Sequence, residues 1–148
     1  MKYFTTEWWE SGCENPLMVF ERYQAYLDSV RTQLSPELVD FQDHHTLHDA
    51  EVKGIVSDFS NRTVVMVLNG WNIKLEYPVR YTLHFSGVSL FDQQLPQQEY
   101  VEAEVGDLGY WEFEVIDSAI EVRMLFVFSG EFRIIFTGFA FEHLVEEV

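Results

Sequence analysis

Basic residues are scarce in this chain: nine Lys and Arg stand against 25 Asp and Glu in 148 residues, a formal charge of −16. A field of that sign repels phosphate backbones and anionic membranes, so direct binding to nucleic acid or to a membrane is not expected. Cysteine is scarcer still. Cys13 is the only one, which excludes an internal disulfide and fits a reducing cytoplasm. The eight glycines stand singly, so there is no glycine-rich phosphate cradle. No stretch reaches transmembrane length without a charge, and the opening MKYFTTEWWE lacks the apolar centre of a signal peptide. A soluble cytoplasmic protein is the expectation.

What is present is apolar and aromatic: 47% hydrophobic and 16% Phe, Trp and Tyr, ample for the core of one domain spanning residues 1–148. The acid is unevenly spread. Residues 92–148 hold 13 acids and only Arg123 and Arg133, a net of −11, whereas residues 1–91 carry a net of −5. Such an excess either confers solubility or favours a cationic partner.

Residues 1–49 read as mainly helical and 50–148 as mainly strands. Asn15 as N-cap and Pro16 at the first helical position open a helix over 15–34, with Phe20, Tyr23, Leu27, Val30 and Leu34 as its apolar stripe. Ser35-Pro36-Glu37 starts a second helix that carries Leu38 and Phe41 inward. TTEWWE fits a helical turn or a strand equally. Beyond Asp49 the period becomes two. Residues 51–59 and 63–69 form a hairpin around SDFSNR, and 73–86 form a strand with Ile73, Leu75, Tyr77, Val79, Tyr81, Leu83 and Phe85 on one face. Pro78 within it points to an edge or a bulge. A Gln-rich loop, DQQLPQQ, follows at 92–98, then strands near 99–106, 110–117, 119–128 and 132–141, with Ser129-Gly130-Glu131 turning between the last two. Helices first and strands after predict an α+β fold: N-terminal helices on a mainly antiparallel meander of about six or seven strands.

Two stretches carry candidate chemistry. DHHTLHD, residues 43–49, holds three histidines, with His44 and His48 at the i,i+4 spacing of a zinc-binding helix. The neighbour of His44 is His45 where a hydrolase needs Glu, and the ligand count falls short. His44, His48 and Asp49 are therefore low-ranking metal candidates, and the stretch reads as a joint between helix and strand. In YVEAEVGDLGYWEFEVID, Glu102, Glu104, Glu112 and Glu114 alternate with apolar residues. A three-residue turn at Asp107-Leu108-Gly109 would set Glu104 opposite Glu112 and Glu102 opposite Glu114, a solvent-facing carboxylate ladder. Like charges placed opposite each other cost a sheet roughly a few tenths of a kcal/mol per pair. That cost is tolerated for solubility or used against a cationic partner. The lack of an EF-hand loop argues against calcium.

Tyr3, Phe4, Thr5, Glu7 and Trp8, together with the His48-Asp49 step into the β-rich part, resemble a bacterial family of uncharacterised proteins that open on a Lys/Arg-Tyr-Phe-Thr-x-Glu/Asp-Trp pattern. The resemblance covers the first third of the chain and implies no activity. In size, acidity and α+β composition the chain is also similar to immunity proteins of bacterial toxin systems. The leading expectation is a non-enzymatic acidic protein-binding module, an immunity protein neutralising a basic toxin domain, with Glu102, Glu104, Glu112 and Glu114 as the contact. The alternative is a small metal-dependent hydrolase or phosphoesterase built on His44, His48 and Asp49. A third is a small-ligand pocket between helix and sheet, for which the sequence gives no address. No cofactor is implied, and the oligomeric state is not encoded in any recognisable motif.

Overall fold

The computed structural model describes residues 2–95, 106–127 and 130–146. Among them are helices α1 (Thr6–Glu10), α2 (Pro16–Val30) and α3 (Pro36–His44), followed by strands β1 (Glu51–Asp58), β2 (Thr63–Trp71), β3 (Pro78–Ser86), β4 (Leu90–Gln94), β5 (Leu108–Ile116), β6 (Ala119–Phe126), β7 (Glu131–Phe136) and β8 (Gly138–Val145). The fold is α+β with every pairing antiparallel. The strands form two sheets, in the orders β1-β2-β3-β8 and β4-β7-β6-β5.

The helices follow their local signals closely. TTEWWE becomes a helical turn because the Thr5 side chain accepts from Trp8 N at 3.1 Å, and Ser35 caps α3 by accepting from Leu38 N at 3.3 Å. Asn15 does not cap α2 with its side chain: its backbone sits at φ 49°, in the left-handed region. The chain expected as one helix to residue 34 ends at Val30 and tightens into a 3₁₀ turn over Arg31–Gln33. Tyr23 and Leu27 of the stripe are buried, as are Leu38 and Phe41 of α3.

The strands needed more correction. β3 begins at Pro78, its first residue, and lies between β2 and β8 rather than at an edge. Ile73, Leu75 and Tyr77 are therefore not on its inner face but exposed on the β2–β3 connection. There Asn72 Oδ1 accepts from Glu76 N at 2.6 Å and Tyr77 N at 3.1 Å, and Leu75 is left-handed at φ 58°. Residues 92–94, expected as loop, pair with β7. The single strand expected over 132–141 is two strands in different sheets. The apolar parity slips from even (Phe132, Ile134, Phe136) to odd (Phe139, Phe141), and the chain turns at Thr137-Gly138. Glycine eases this corner, most clearly at Gly87, whose backbone is left-handed. A Cβ at Gly138 would meet Ser86 Oγ at 2.2 Å, and one at Gly87, where φ is +60°, would meet Thr137 Oγ1 at 2.0 Å.

The core lies where the two sheets and the helices meet. Met66, Leu68, Tyr81, Leu83 and Phe85 from one sheet join Val122, Met124, Phe132, Ile134 and Phe136 from the other. Each such side chain contributes on the order of 1.5–3 kcal/mol by leaving water. Phe85 and Phe136 cross edge to face at 4.9 Å, and Phe41 of α3 packs on Tyr81, Phe139 and Phe141. A second seam ties the chain entering β1 to the start of β5: Leu108 N donates to Ala50 O at 2.7 Å, and Asp49 N to Leu108 O at 2.9 Å.

Candidate functional site

Among the described residues β5 is an edge strand, so alternate N–H groups along its outer side need acceptors. Two come from α2: Phe113 N donates to the Tyr23 hydroxyl at 2.6 Å, and Val115 N to the Tyr26 hydroxyl at 2.8 Å. Burial, ahead of the nearby Glu112 charge, pushes the Tyr23 phenol well above its usual range, so it stays protonated. These bonds hold α2 alongside β5 and leave a cleft between them.

A second device holds the N-terminal segment against the same strand. Glu112 is 1% exposed, and its carboxylate accepts from Lys2 N, from Tyr3 N at 2.8 Å and from Phe4 N at 3.3 Å. Its counter-charge is Arg123, opposite it on β6, at 3.4 Å. Arg123 also bonds Glu114 at 2.6 Å and Glu121 at 2.5 Å, and Arg133 reaches Glu121 at 3.4 Å. Partial burial works against the Arg123 charge, but Glu121 and Glu114 outweigh it and drive the guanidinium pKa upward. Burial likewise opposes ionisation of Glu114, yet Arg123 and Lys2 hold its carboxyl below the usual range.

This arrangement corrects the carboxylate ladder. Leu108 and Gly109 are strand rather than turn, and α2 takes the β5 edge at Phe113 and Val115. Glu112 faces Arg123, while Glu114 faces Glu121, a like-charge pair relieved by Arg123 between them. Glu112 is sealed from solvent and Glu114 is tied to its own cations, so neither is a free contact as folded. Glu102 and Glu104 lie outside the described residues.

The histidines separate. α3 ends at His44, so His44 and His48 do not share a helical face. His44 Nδ1 meets Asp40 Oδ1 at 2.8 Å on the surface. His45 packs among Phe41, Tyr81, Phe141 and His143, where burial and then the His143 charge lower its pKa. His48 Nδ1–H donates to Gly109 O at 3.0 Å, and its Nε2 lies 3.7 Å from Asp49 Oδ1. Among the described residues no group of three His, Cys, Asp or Glu is placed to hold a metal ion.

What the structure does assemble is a cavity of about 630 Å³ between α2, the exit of α3 and the start of β5. Its walls include Phe4, Phe20, Tyr23, Tyr110 and Trp111, with Gln42, Thr46 and His48 from α3 and its exit. The Glu112 clasp places Phe4, whose ring stacks on Tyr110 at 4.9 Å and packs on Phe20 at 5.1 Å. Thr46 Oγ1 accepts from His48 N at 3.1 Å and so fixes the loop carrying His48. Burial, with contributions from Cys13 and Asp49, raises the Tyr110 phenol, which therefore remains neutral.

Two residues of these walls hold a buried polar atom with no hydrogen-bond partner among the described residues: Gln42 Oε1, an acceptor, and Trp111 Nε1, a donor. Sequence reading did not find this site. Its residues come from four separated segments, and no spacing links Gln42 to Trp111. No family model matches the chain, and no curated protein or solved structure matches it either.

Proposed function

We propose that the protein is a non-enzymatic binding protein whose cavity between α2 and β5 takes up a small, largely apolar molecule. The pairless Gln42 Oε1 and Trp111 Nε1 carry this reading. Leaving such groups unsatisfied in a folded interior costs about 1–3 kcal/mol each, and native structures rarely retain them without a purpose. The two residues that carry them line an open, mainly aromatic cavity whose volume falls within the range of small-molecule sites. Turned into the cavity by a side-chain rotation, this acceptor and donor orient a guest that carries the complementary pair. The lining supplies no nucleophile with an adjacent base: Thr46 Oγ1 is engaged with the backbone and His48 with Gly109 and Asp49.

The test is a fragment screen read by two-dimensional NMR on the Trp111 indole N–H and the Gln42 side-chain amide. Binders are expected to move both signals, and Trp111→Phe or Gln42→Met to weaken them about tenfold, the effect of one lost hydrogen bond. Fragments that stabilise the protein while leaving both signals in place would remove the reading.

The formal charge of −16 favours a second reading, salt-sensitive association with a basic protein in the manner of an immunity protein. With Glu112 committed to the fold, Glu102 and Glu104 remain as its contact residues. If Lys at both positions left affinity for a cognate basic partner unchanged, that reading would be lost.

A further inference from the structure

The lining of the α2–β5 cavity is one-sided in charge as well as aromatic. From it we infer that the guest is a small organic cation, an amine or quaternary ammonium carried on an apolar body. This rests on the binding-protein reading above and names the ligand class of the same site.

Four observations lead there. Five aromatic rings line the cavity, from Phe4, Phe20, Tyr23, Tyr110 and Trp111. Aromatic faces attract a cation through their quadrupole, and a desolvated ammonium gains most from several of them. Second, no Lys or Arg stands among the lining residues, while Glu21 supplies a carboxylate at the α2 wall. An anion would meet no counter-charge there, and a cation meets one. Third, the pairless Gln42 Oε1 is an acceptor, the partner an N–H of a protonated amine requires. Trp111 Nε1–H then asks for an acceptor elsewhere on the guest, such as a hydroxyl or carbonyl. Fourth, the seam beside the cavity is acidic. Asp49 follows the lining residue His48, and its N–H bonds Leu108 O at 2.9 Å, which sets it beside Asp107 and the lining residue Gly109; burial, then Asp49 and Glu51, raise the Asp107 carboxyl. A cleft edged this way in a chain of charge −16 concentrates cations at its mouth.

A neutral aromatic guest would satisfy the rings but leave Glu21 and the acidic seam without a role. The cation uses all four features.

The test holds shape nearly constant and changes only charge. Benzylammonium, benzyl alcohol and benzoate are titrated into the full chain, reading the Trp111 indole and Gln42 amide signals. Benzylammonium should bind at least about tenfold more tightly than benzyl alcohol, with benzoate weakest of the three, as expected for a desolvated cation–π contact. Phe20→Leu and Glu21→Gln should each weaken benzylammonium about two- to fivefold, in line with partly exposed partners. Equal affinity for ammonium and alcohol, with both signals moving, overturns the charge inference and leaves the binding-protein reading standing. Tightest binding by benzoate overturns it likewise. Movement of neither signal by any of the three overturns both. A lysine-containing tetrapeptide serves as a further arm: binding tighter than benzylammonium would transfer the site from a free amine to a side chain of a partner protein and overturn the small-molecule assignment.

Discussion

The two faces of β5 make opposite use of polar groups. Along one, Glu112 and Glu114 meet Arg123, Lys2 and three backbone N–H groups. At the cavity, Trp111 on the same strand and Gln42 beyond it hold a donor and an acceptor that none of the described residues completes. A buried charge survives only when its surroundings answer it fully, so the first cluster belongs to the fold. A buried donor and acceptor left incomplete weaken the fold slightly, and under the binding reading proposed above a guest completes them.

The sharpest way to break this contrast is Glu112→Ala. It strips the acceptor from residues 2–4 and leaves the Arg123 guanidinium short of a partner, which should cost about 3–5 kcal/mol in urea unfolding. Because Phe4 hangs from the same clasp, ligand uptake should fall with it. A cost below about 1 kcal/mol, the size of one ordinary hydrogen bond, would show that the clasp does not hold the segment.

Gln42→Met should behave in the opposite way. Removing an unsatisfied buried acceptor should leave stability unchanged or raise it by up to about 1 kcal/mol, while binding declines. Thermal melts with and without a bound fragment measure both. A variant that loses stability and keeps its affinity would reverse the assignment of the two clusters.

The smallest effect tests a residue outside both. His45 has a folded pKa below its unfolded value of 6.5 because burial, then His143, disfavour its charge. The unfolded chain therefore binds more protons in the window from 6.5 down to the folded value, and stability must fall as pH drops through it. Glu114, also lowered, contributes stability that is fully present above its ordinary value and is lost at more acid pH, as pH falls through its folded value. His45→Phe keeps the aromatic packing against Phe41 and Phe141 and should flatten the first of these two slopes. Unfolding midpoints measured from pH 7 to pH 5 check this, with Glu114→Gln reserved for the lower range.

Much of the chain was legible because its signals are local. Ser35 before Pro36 caps a helix whatever surrounds it, and the alternation of Val64, Met66 and Leu68 marks a half-buried strand without reference to its neighbours. The break at Thr137-Gly138 was also legible in principle, since the apolar parity slips there. Ile73, Leu75 and Tyr77 misled because they continue the period of β3, while the Asn72 side chain and the Trp71–Pro78 register end the ladder before them. Glu112 misled more deeply. A carboxylate alternating with apolar residues is ordinarily the wet face of a sheet, because burying it unpaired is prohibitive.

The sequence by itself determined the class of the fold, the starts of α2 and α3, the period of strands such as β2 and the sign of the protein's field, all properties of residues and their near neighbours. Only the tertiary structure decided which carboxylates are spent internally and where a cavity opens. Those outcomes depend on partners about a hundred residues away: the backbone of residues 2–4 for Glu112 and the hydroxyls of Tyr23 and Tyr26 for the edge of β5. Pairing across such separations leaves no period in the chain, because a hydrogen bond or an ion pair constrains positions in space and not in sequence.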